Sequence, residues 1–136
     1  MDLELTGKKV LVTGASRGIG YAISKHFLQE NAEVFLAARN EERLCKVEEE
    51  FGKQFGEKRI RSQSCDCTNP NDLKKLRESV KVSWGSLDIV VANVGDGRCV
   101  ADSIPSINRW KKTWDVNFET SLHTSRTFLP MLQESH

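Results

Sequence analysis

The sequence lacks long apolar runs and a marked excess of either charge. No segment approaches the ~20 consecutive apolar residues that a membrane-spanning helix requires. The N-terminal stretch MDLELTGKK contains two acids and no apolar core, so it does not resemble a signal peptide. Lys and Arg total 20 against 19 Asp and Glu, and this net charge of +1 gives no reason to expect a nucleic acid or a membrane as partner. We therefore expect a single cytoplasmic domain that spans residues 1–136.

Cysteines are few, and their spacing is not that of a metal site. The four are Cys45, Cys65, Cys67 and Cys99. One residue separates Cys65 from Cys67, whereas zinc sites commonly use C-x-x-C together with a second pair of ligands. The three histidines share no ligand spacing either. We expect free thiols, as is usual in a cytoplasmic protein, and no bound metal.

The sequence does contain a strand-turn-helix motif at residues 10–20, VLVTGASRGIG. Three apolar residues suit a buried parallel strand, and the unpaired N–H groups of the helix that follows can bind an anionic diphosphate. Gly14 permits a tight turn, Gly18 lets the backbone approach the diphosphate, and Gly20 lets the helix pack close to the sheet. A glycine cluster alone also fits an ordinary loop, but here a strand precedes it and a helix follows it.

Short apolar runs alternate with amphipathic segments along the chain, which predicts β-α-β units and a parallel sheet. The predicted strands are 10–13, 33–38, 59–65 and 87–93, and the predicted helices are 18–29, 40–56, 69–85 and 107–134. The first helix is expected to bury Ile19, Ala22, Ile23 and Phe27. Pro130 is expected to kink or end the last helix.

The fold class that follows is α/β, a Rossmann-like doubly wound parallel sheet that is incomplete, with about four strands and four helices. In the order 3-2-1-4-5-6, the fourth strand lies beside the first and needs a neighbour on its other side. Without one it is an apolar sheet edge, so we expect a longer protein or a second chain that covers it. Trp110, Trp114 and Phe118 in the long helix fit either subunit pairing or core packing.

Four motifs in this order resemble the N-terminal half of the short-chain dehydrogenases/reductases. They are residues 13–20 (TGASRGIG), Asp66 after the third strand, residues 92–95 (ANVG) after the fourth strand, and Asn117 in the long helix. The resemblance covers the whole chain. It implies an NAD(P)-dependent oxidoreductase that moves a hydride between nicotinamide and a small-molecule carbonyl or alcohol.

The resemblance also implies roles for individual residues. The cofactor-binding positions would be Gly14, Ser16, Arg17, Gly18, Ile19, Gly20, Asp66, Cys67, Asn93 and Gly95. Asp66 would accept a hydrogen bond from the adenine amino group, and Cys67 would supply a backbone contact. Asn93 would line the cofactor cleft, and Asn117 would be the catalytic asparagine that holds a water in the proton relay.

Alternatives remain open at two of these positions. Asp66 could simply cap a turn, and Asn117 could be an ordinary polar residue of a helix. The family pattern after the fourth strand is Asn-Asn-Ala-Gly, from which Ala92 and Val94 depart.

The end of the second predicted strand indicates which dinucleotide is preferred. Dinucleotide folds that select NAD place an acid there to bind the ribose hydroxyl. This chain has Ala37, Ala38, Arg39 and Asn40 instead. Arg39 and Arg17 could converge on the 2′-phosphate of NADP, so we expect NADP rather than NAD. The alternative is that Arg39 is a solvated strand end.

In this family the catalytic serine and the Tyr-x-x-x-Lys pair lie beyond the long helix, where this sequence has ended. Tyr21 and Lys25 match the spacing, but they follow the glycine loop at the diphosphate end, so we interpret the match as coincidence. We therefore expect this chain to bind cofactor weakly or not at all, to be inactive alone, and to represent half of a longer, homo-oligomeric enzyme. The alternatives are a non-catalytic NADP-binding module and a non-functional truncation.

Overall fold

The computed structural model describes residues 2–96 and 103–135, so the expected free thiol of Cys99 lies outside the described residues. Strands and helices alternate along the chain. The strands are β1 (Lys9–Thr13), β2 (Glu33–Ala38), β3 (Ile60–Ser64) and β4 (Ile89–Val91). The helices are α1 (Gly18–Gln29), α2 (Glu41–Phe55), α3 (Pro70–Trp84), α4 (Ile107–Trp114) and α5 (Thr120–Glu134).

The four strands form one parallel sheet in the order β3-β2-β1-β4, which confirms the predicted Rossmann-like topology. Val10 of β1, for example, lies between Val34 of β2 and Ile89 of β4. Because all strands run the same way, their carboxyl ends and the turns that follow meet at one edge of the sheet. Among the described strands, β4 pairs with β1 alone and forms the edge that the sequence predicts.

Alternate residues of the strands build two apolar layers, one on each face of the sheet. On one face, Val10, Val12 and Leu36 pack with side chains of α1 and α2 such as Leu28 and Phe51. On the other face, Leu11 and Phe35 pack with Leu76 of α3 and Phe128 of α5. Both layers are fully enclosed at their centres, so the sheet is a rigid base for the turns at its carboxyl edge.

The ends of α2 and α3 are set by capping residues that can be recognised in the sequence. The side chain of Asn40 caps α2 by accepting a hydrogen bond from the Arg43 N–H at 2.8 Å. Pro70 occupies the first turn of α3, and Gly85 ends α3 in the left-handed conformation.

The buried face of α1 differs from the predicted one. Gly20, Ser24 and Leu28 are buried, at a spacing of four residues, whereas Ile23 and Phe27 are only half-buried. The expectation was wrong for two residues, because Ala22 is exposed and Ile19 is 72% exposed. The physical reason is that the helix approaches the sheet through the glycine that has no side chain, and this turns Ile19 toward the open edge of the sheet.

β4 is shorter than the predicted strand, and side-chain hydrogen bonds join its two ends to β1; before β4 they stand beside a backbone bond from the Asp88 N–H to the Lys9 carbonyl at 3.0 Å. Before β4, Asp88 Oδ2 accepts a hydrogen bond from the Lys9 N–H at 2.9 Å. After β4, the Asn93 N–H donates to Thr13 Oγ1 at 3.0 Å. β3 is also shorter than predicted, since Glu57–Arg59 form a 3₁₀ turn ahead of it. The Arg59 side chain is drawn to the end of α1, where it donates to the Ala32 carbonyl at 2.9 Å.

The long helix extends over residues 107–134 as predicted, but it contains a π-helical turn at Asp115–Glu119 between α4 and α5. Pro130 does not end the helix, because α5 continues to Glu134. Trp110, Trp114 and Phe118 are 58%, 53% and 48% exposed, so they are not core residues of the described chain. None of the helices in the described part of the chain is long and apolar enough to cross a membrane.

Candidate functional site

A cleft of about 850 Å³ opens at the carboxyl ends of the strands. Its walls are the turns that follow the four strands, the first residues of α1, one residue of α2 and one residue of the π-helical turn. The lining residues are Gly14, Ser16, Arg17, Gly18, Ile19, Ala38, Arg39, Asn40, Arg43, Cys65, Cys67, Asn93, Val94, Gly95, Asp96 and Asn117.

The cleft brings together every site residue predicted from the sequence except Gly20 and Asp66, which do not line it. Sequence reasoning missed Ala38, Asn40, Arg43, Cys65, Val94 and Asp96. Most of these are neighbours of predicted residues in the same turns. Arg43 is different, because it reaches the cleft from inside α2, and its signal in the sequence is a third arginine close behind the second strand.

The glycine loop between β1 and α1 leaves no room for side chains where it meets the sheet. A Cβ at Gly20 would lie 2.2 Å from the Gly14 carbonyl oxygen and 2.6 Å from Asn93 Nδ2. Gly14 and Gly18 have positive φ angles of 64° and 58°, a conformation that side chains disfavour. A Cβ at Gly18 would meet nothing within 4 Å, so this glycine keeps open space in front of the helix.

The N-terminus of α1 has no side-chain cap. Arg17 occupies the capping position with extended backbone, and its side chain makes no capping hydrogen bond. Serine, threonine, aspartate or asparagine would normally satisfy these N–H groups. Donors in the first turn of α1 therefore remain available to an anionic group in the cleft.

Asn93 ties the glycine loop to the end of β4. Its side-chain Nδ2 lies 3.5 Å from the Gly14 carbonyl oxygen, and its backbone N–H donates to Thr13 Oγ1. The Thr13 hydroxyl in turn donates to the Val91 carbonyl at 3.3 Å. These bonds hold the first turn and the fourth strand end at a fixed separation, which sets the width of the cleft.

Three arginines line the cleft: Arg17 from the turn after β1, Arg39 from the end of β2, and Arg43 from the first turn of α2. Within residues 2–96 and 103–135, no carboxylate forms an ion pair with any of the three. All three residues are exposed. The charge of Arg39 also acts on Asp66, but three cations without an ion pair still create a positive potential that attracts a multivalent anion, and guanidinium groups bind phosphate oxygens in a bidentate manner.

Asp66 caps the turn after β3, as its alternative interpretation allows. One oxygen, Oδ1, accepts hydrogen bonds from the Thr68 N–H at 2.9 Å and from the Thr68 hydroxyl at 2.7 Å. Partial burial raises the pKa of Asp66, but the two bonds from Thr68 and the charge of Arg39 outweigh it, so the pKa lies below its ordinary value. Asp66 is therefore an ionised acceptor beside the cleft, with Oδ2 outside these bonds.

Cys65 and Cys67 are buried at the base of the cleft as free thiols. The Cys65 thiol donates a hydrogen bond to Cys67, which raises the pKa of Cys65 and lowers the pKa of Cys67, and Thr124 reinforces the effect on Cys67. In the part of the chain that the structure describes, no group of three or more His, Cys, Asp or Glu side chains could hold a metal ion.

Asn117 lies in the π-helical turn and joins it to the segment after β4. Its Oδ1 accepts a hydrogen bond from the Asp96 N–H at 2.9 Å, and its Nδ2 donates to the Asp96 carbonyl at 3.3 Å. Nδ2 also donates to the Thr113 carbonyl at 3.0 Å. π-Helical turns are rare and frequent at functional sites, and here the turn aims an amide side chain into the cleft.

Comparison with known proteins identifies the family. A model of the family described as short chain dehydrogenase matches residues 8–136. The chain belongs to the short-chain dehydrogenase family. Its relatives include 11-beta-hydroxysteroid dehydrogenase 1A of Arabidopsis thaliana, 33% identical over 134 residues, which are 98% of this chain and 38% of that protein. An uncharacterized oxidoreductase of Staphylococcus aureus strain USA300 is 33% identical over 132 residues, 96% of this chain and 55% of that protein.

Solved structures of short-chain dehydrogenases share the fold. L-sorbose reductase from Gluconobacter frateurii, complexed with NADPH and L-sorbose, has a TM-score of 0.91 at 30% identity. That alignment covers 99% of this chain and 51% of the reductase. An NADPH-bound short chain oxidoreductase from Pseudomonas aeruginosa PAO1 has a TM-score of 0.88 at 29% identity and covers 93% of this chain and 49% of that one. This short-chain dehydrogenase chain thus spans about half the length of the structures it matches.

Tyr21 matches the Tyr-x-x-x-Lys spacing of the short-chain dehydrogenases, but it does not line the cleft. Its hydroxyl donates to Glu50 Oε1 at 2.5 Å on the outer side of α1. That hydrogen bond, with burial and the charge of Glu50, raises the pKa of Tyr21. A catalytic acid or base works best with a pKa near the operating pH, so the change is in the wrong direction for that role.

Proposed function

We propose that this chain forms the NADP(H)-binding half of an oxidoreductase that moves a hydride between nicotinamide and a small-molecule carbonyl or alcohol. The observation that carries the proposal is a cleft lined by three arginines without an ion pair in a chain of the short-chain dehydrogenase family. When bound, the cofactor supplies or accepts the hydride, and the chain's own residues bind and orient it.

The glycine loop fits a dinucleotide diphosphate. The uncapped first turn of α1 offers N–H donors, and the open space in front of Gly18 allows an anion to approach the backbone. Ser16 and Ile19 line the same wall, with Ile19 exposed toward the cleft as an apolar contact. In this arrangement Gly20 acts indirectly, since it lets α1 lie close enough to Gly14 for the cradle to form.

The adenosine end of the cofactor fits the β2 and β3 turns. Arg17 and Arg39 would hold the ribose 2′-phosphate, which an acid at position 39 would repel. The ionised Asp66 can accept a hydrogen bond from the adenine amino group, and Cys67 lies in the cleft wall beside it. The NADPH-bound relatives of known structure agree with this choice of cofactor.

The opposite end of the cleft would receive the nicotinamide. Gly95 comes close to the amide of Asn117, because a Cβ added at Gly95 would lie 3.1 Å from Asn117 Oδ1. We propose that Asn117 is the family's catalytic asparagine and that its bonds to Asp96 keep the π-helical turn against the β4 segment. Asn93 would fix the wall between the two ends of the cofactor.

The adenosine end is tested on the longer gene product, because this chain alone is expected to bind cofactor weakly or not at all. We expect adenosine 2′,5′-bisphosphate to raise the melting temperature more than AMP at the same concentration and low salt. Arg39→Asp should abolish the difference, since it removes a cation and adds a carboxylate that repels the extra phosphate. Lys53→Gln is the control, because Lys53 pairs with Glu49 at the far end of α2. Equal shifts for the two ligands with the unaltered protein would refute the NADP proposal.

Turnover must be tested with the longer gene product. Oxidation of NADPH in the presence of carbonyl compounds would support an oxidoreductase. Binding of NADPH without turnover of any carbonyl or alcohol would instead support a non-catalytic binding module.

A further inference from the structure

We propose that Arg43 is a third specificity-determining residue and that its guanidinium group binds the 2′-phosphate of NADP together with Arg17 and Arg39. The inference rests on the proposed function and extends it to a residue that lies inside a helix, beyond the strand end that sequence patterns of cofactor choice consider.

The position of Arg43 in α2 directs its side chain toward the cleft. Asn40 is the N-cap of α2, so Arg43 is the third residue of the helix, and its N–H is held by the Asn40 side chain at 2.8 Å. Side chains on a helix tilt toward its N-terminus. Here the N-terminus faces the cleft, and Arg43 lines the cleft next to Arg39 and Asn40.

No carboxylate on α2 competes for Arg43. The residues four positions before and after it are Arg39 and Val47, neither of which is an acid. Of the five acids on the helix, two are paired with lysines: Glu42 with Lys46 at 2.7 Å and Glu49 with Lys53 at 2.9 Å. Two others accept hydrogen bonds from hydroxyl groups, Glu48 from Ser62 and Glu50 from Tyr21. α2 is rich in acids, yet its charge pattern leaves the guanidinium group that faces the cleft without an internal partner.

Three cations can neutralise and hydrogen-bond one phosphate monoester more completely than two cations can. The 2′-phosphate carries close to two negative charges at neutral pH, and its three terminal oxygens can each accept a charge-assisted hydrogen bond. Arg17 stands in the β1 turn, Arg39 at the end of β2, and Arg43 in α2, so three different elements of the cleft wall each supply one arginine. A ribose hydroxyl offers neither the charge nor the number of acceptors to engage them.

The test compares binding of adenosine 2′,5′-bisphosphate and AMP to the longer gene product by titration calorimetry at low salt. We expect Arg43→Gln to weaken binding of the bisphosphate about tenfold, because a charge-assisted hydrogen bond is lost, and to change AMP binding less than twofold. Arg43→Lys should recover part of the loss, because it restores the charge without the bidentate geometry. Lys46→Gln, one turn further along α2 and outside the cleft, removes the same charge and should affect neither ligand.

The outcomes separate this inference from the proposed function. If the unaltered protein prefers the bisphosphate and Arg43→Gln keeps the same preference, the role of Arg43 is refuted while the NADP proposal stands. If Arg43→Gln weakened the binding of both ligands equally, the proposed role of Arg43 would also be overturned, since Arg43 would then contact the adenosine part that the two ligands share. If the unaltered protein does not discriminate between the ligands, the proposed function and this inference fail together.

Discussion

The sharpest structural prediction concerns Gly20, where the helix that presents the phosphate site touches the loop. A Cβ at this position would lie 2.2 Å from a backbone oxygen of Gly14, against an ordinary contact distance of about 3.4 Å. The obstacle is backbone, so α1 must move by roughly 1 Å or the turn must distort. Either movement also disturbs the Asn93 side chain, which would lie 2.6 Å from the same Cβ.

We expect Gly20→Ala to lower the free energy of unfolding by about 3 kcal/mol, the upper end of the range for overpacked sites. With a urea m-value of about 2 kcal/mol/M, the midpoint should fall by about 1.5 M. Gly18→Ala is the informative comparison, because its Cβ meets nothing within 4 Å. Its cost comes only from the positive φ of 58°, roughly 1 kcal/mol, but its Cβ occupies the space where the diphosphate would lie.

The two variants should therefore separate stability from binding. The main effect of Gly20→Ala should be a lower free energy of unfolding. Gly18→Ala should stay folded, and its main effect should be weaker binding of AMP. Gly85→Ala is the control for backbone strain, since Gly85 has a φ of 71°, open space around it and no place in the cleft. A Gly20→Ala midpoint equal to that of Gly18→Ala would refute the close approach of α1 to the glycine loop.

Three further predictions concern the cleft wall. Asn117→Ala should speed hydrogen exchange at the Asp96 N–H, because Oδ1 no longer accepts its bond; exchange that is unchanged from the unaltered chain would contradict the contact. Thr68→Val should raise the pKa of Asp66 in an NMR titration, because the hydroxyl donor is lost. Because the pKa of Asp66 is lowered in the folded state, its ionised form stabilises the fold at pH values above the ordinary pKa, and this stabilisation is lost as the pH falls through the lowered pKa. The loss of unfolding free energy in Thr68→Val should therefore shrink in acid. In peptide-resolved alkylation, exposed Cys45 should react well before buried Cys65; the reverse order would contradict the packing below the cleft.

The topology of the sheet follows from the sequence because each β-α unit carries its own local signals. Asn40, Pro70 and Gly85 mark helix ends, and those ends are found where the local chemistry places them. The strand order β3-β2-β1-β4 then follows from the rules for right-handed crossovers and for dinucleotide folds.

The sequence-based predictions fail at positions where tertiary contacts override the local spacing of apolar residues. Periodicity assigns Ile19 to the buried face of α1, but the close contact at Gly20 rotates the helix and leaves Ile19 exposed. The π-helical turn around Asn117 leaves no mark in apolar spacing, since it depends on bonds to Asp96 made across the cleft. Arg43 was missed for a related reason: only the direction in which α2 leaves the sheet brings its first turn to the cleft.

The last helix offers a direct test of which apolar residues are covered in solution. Phe128 of α5 is fully buried against α3 and β4, whereas Phe118 in the π-helical turn is 48% exposed and stacks on Trp114 with ring centroids 4.5 Å apart. Phe128→Ala should cost about 4 kcal/mol of unfolding free energy, as for other buried phenylalanines.

Phe118→Ala should cost below about 1 kcal/mol, because solvent already reaches much of the ring and little of the transfer free energy is lost. The two variants carry the same chemical change on one continuous helix, so helix propensity cancels in the comparison. A cost for Phe118→Ala that matches Phe128→Ala and grows with protein concentration would mean that this face is buried by a second copy of the chain. In that case the exposed stripe of Trp110, Trp114 and Phe118 is a subunit interface rather than free surface, because only association couples stability to concentration.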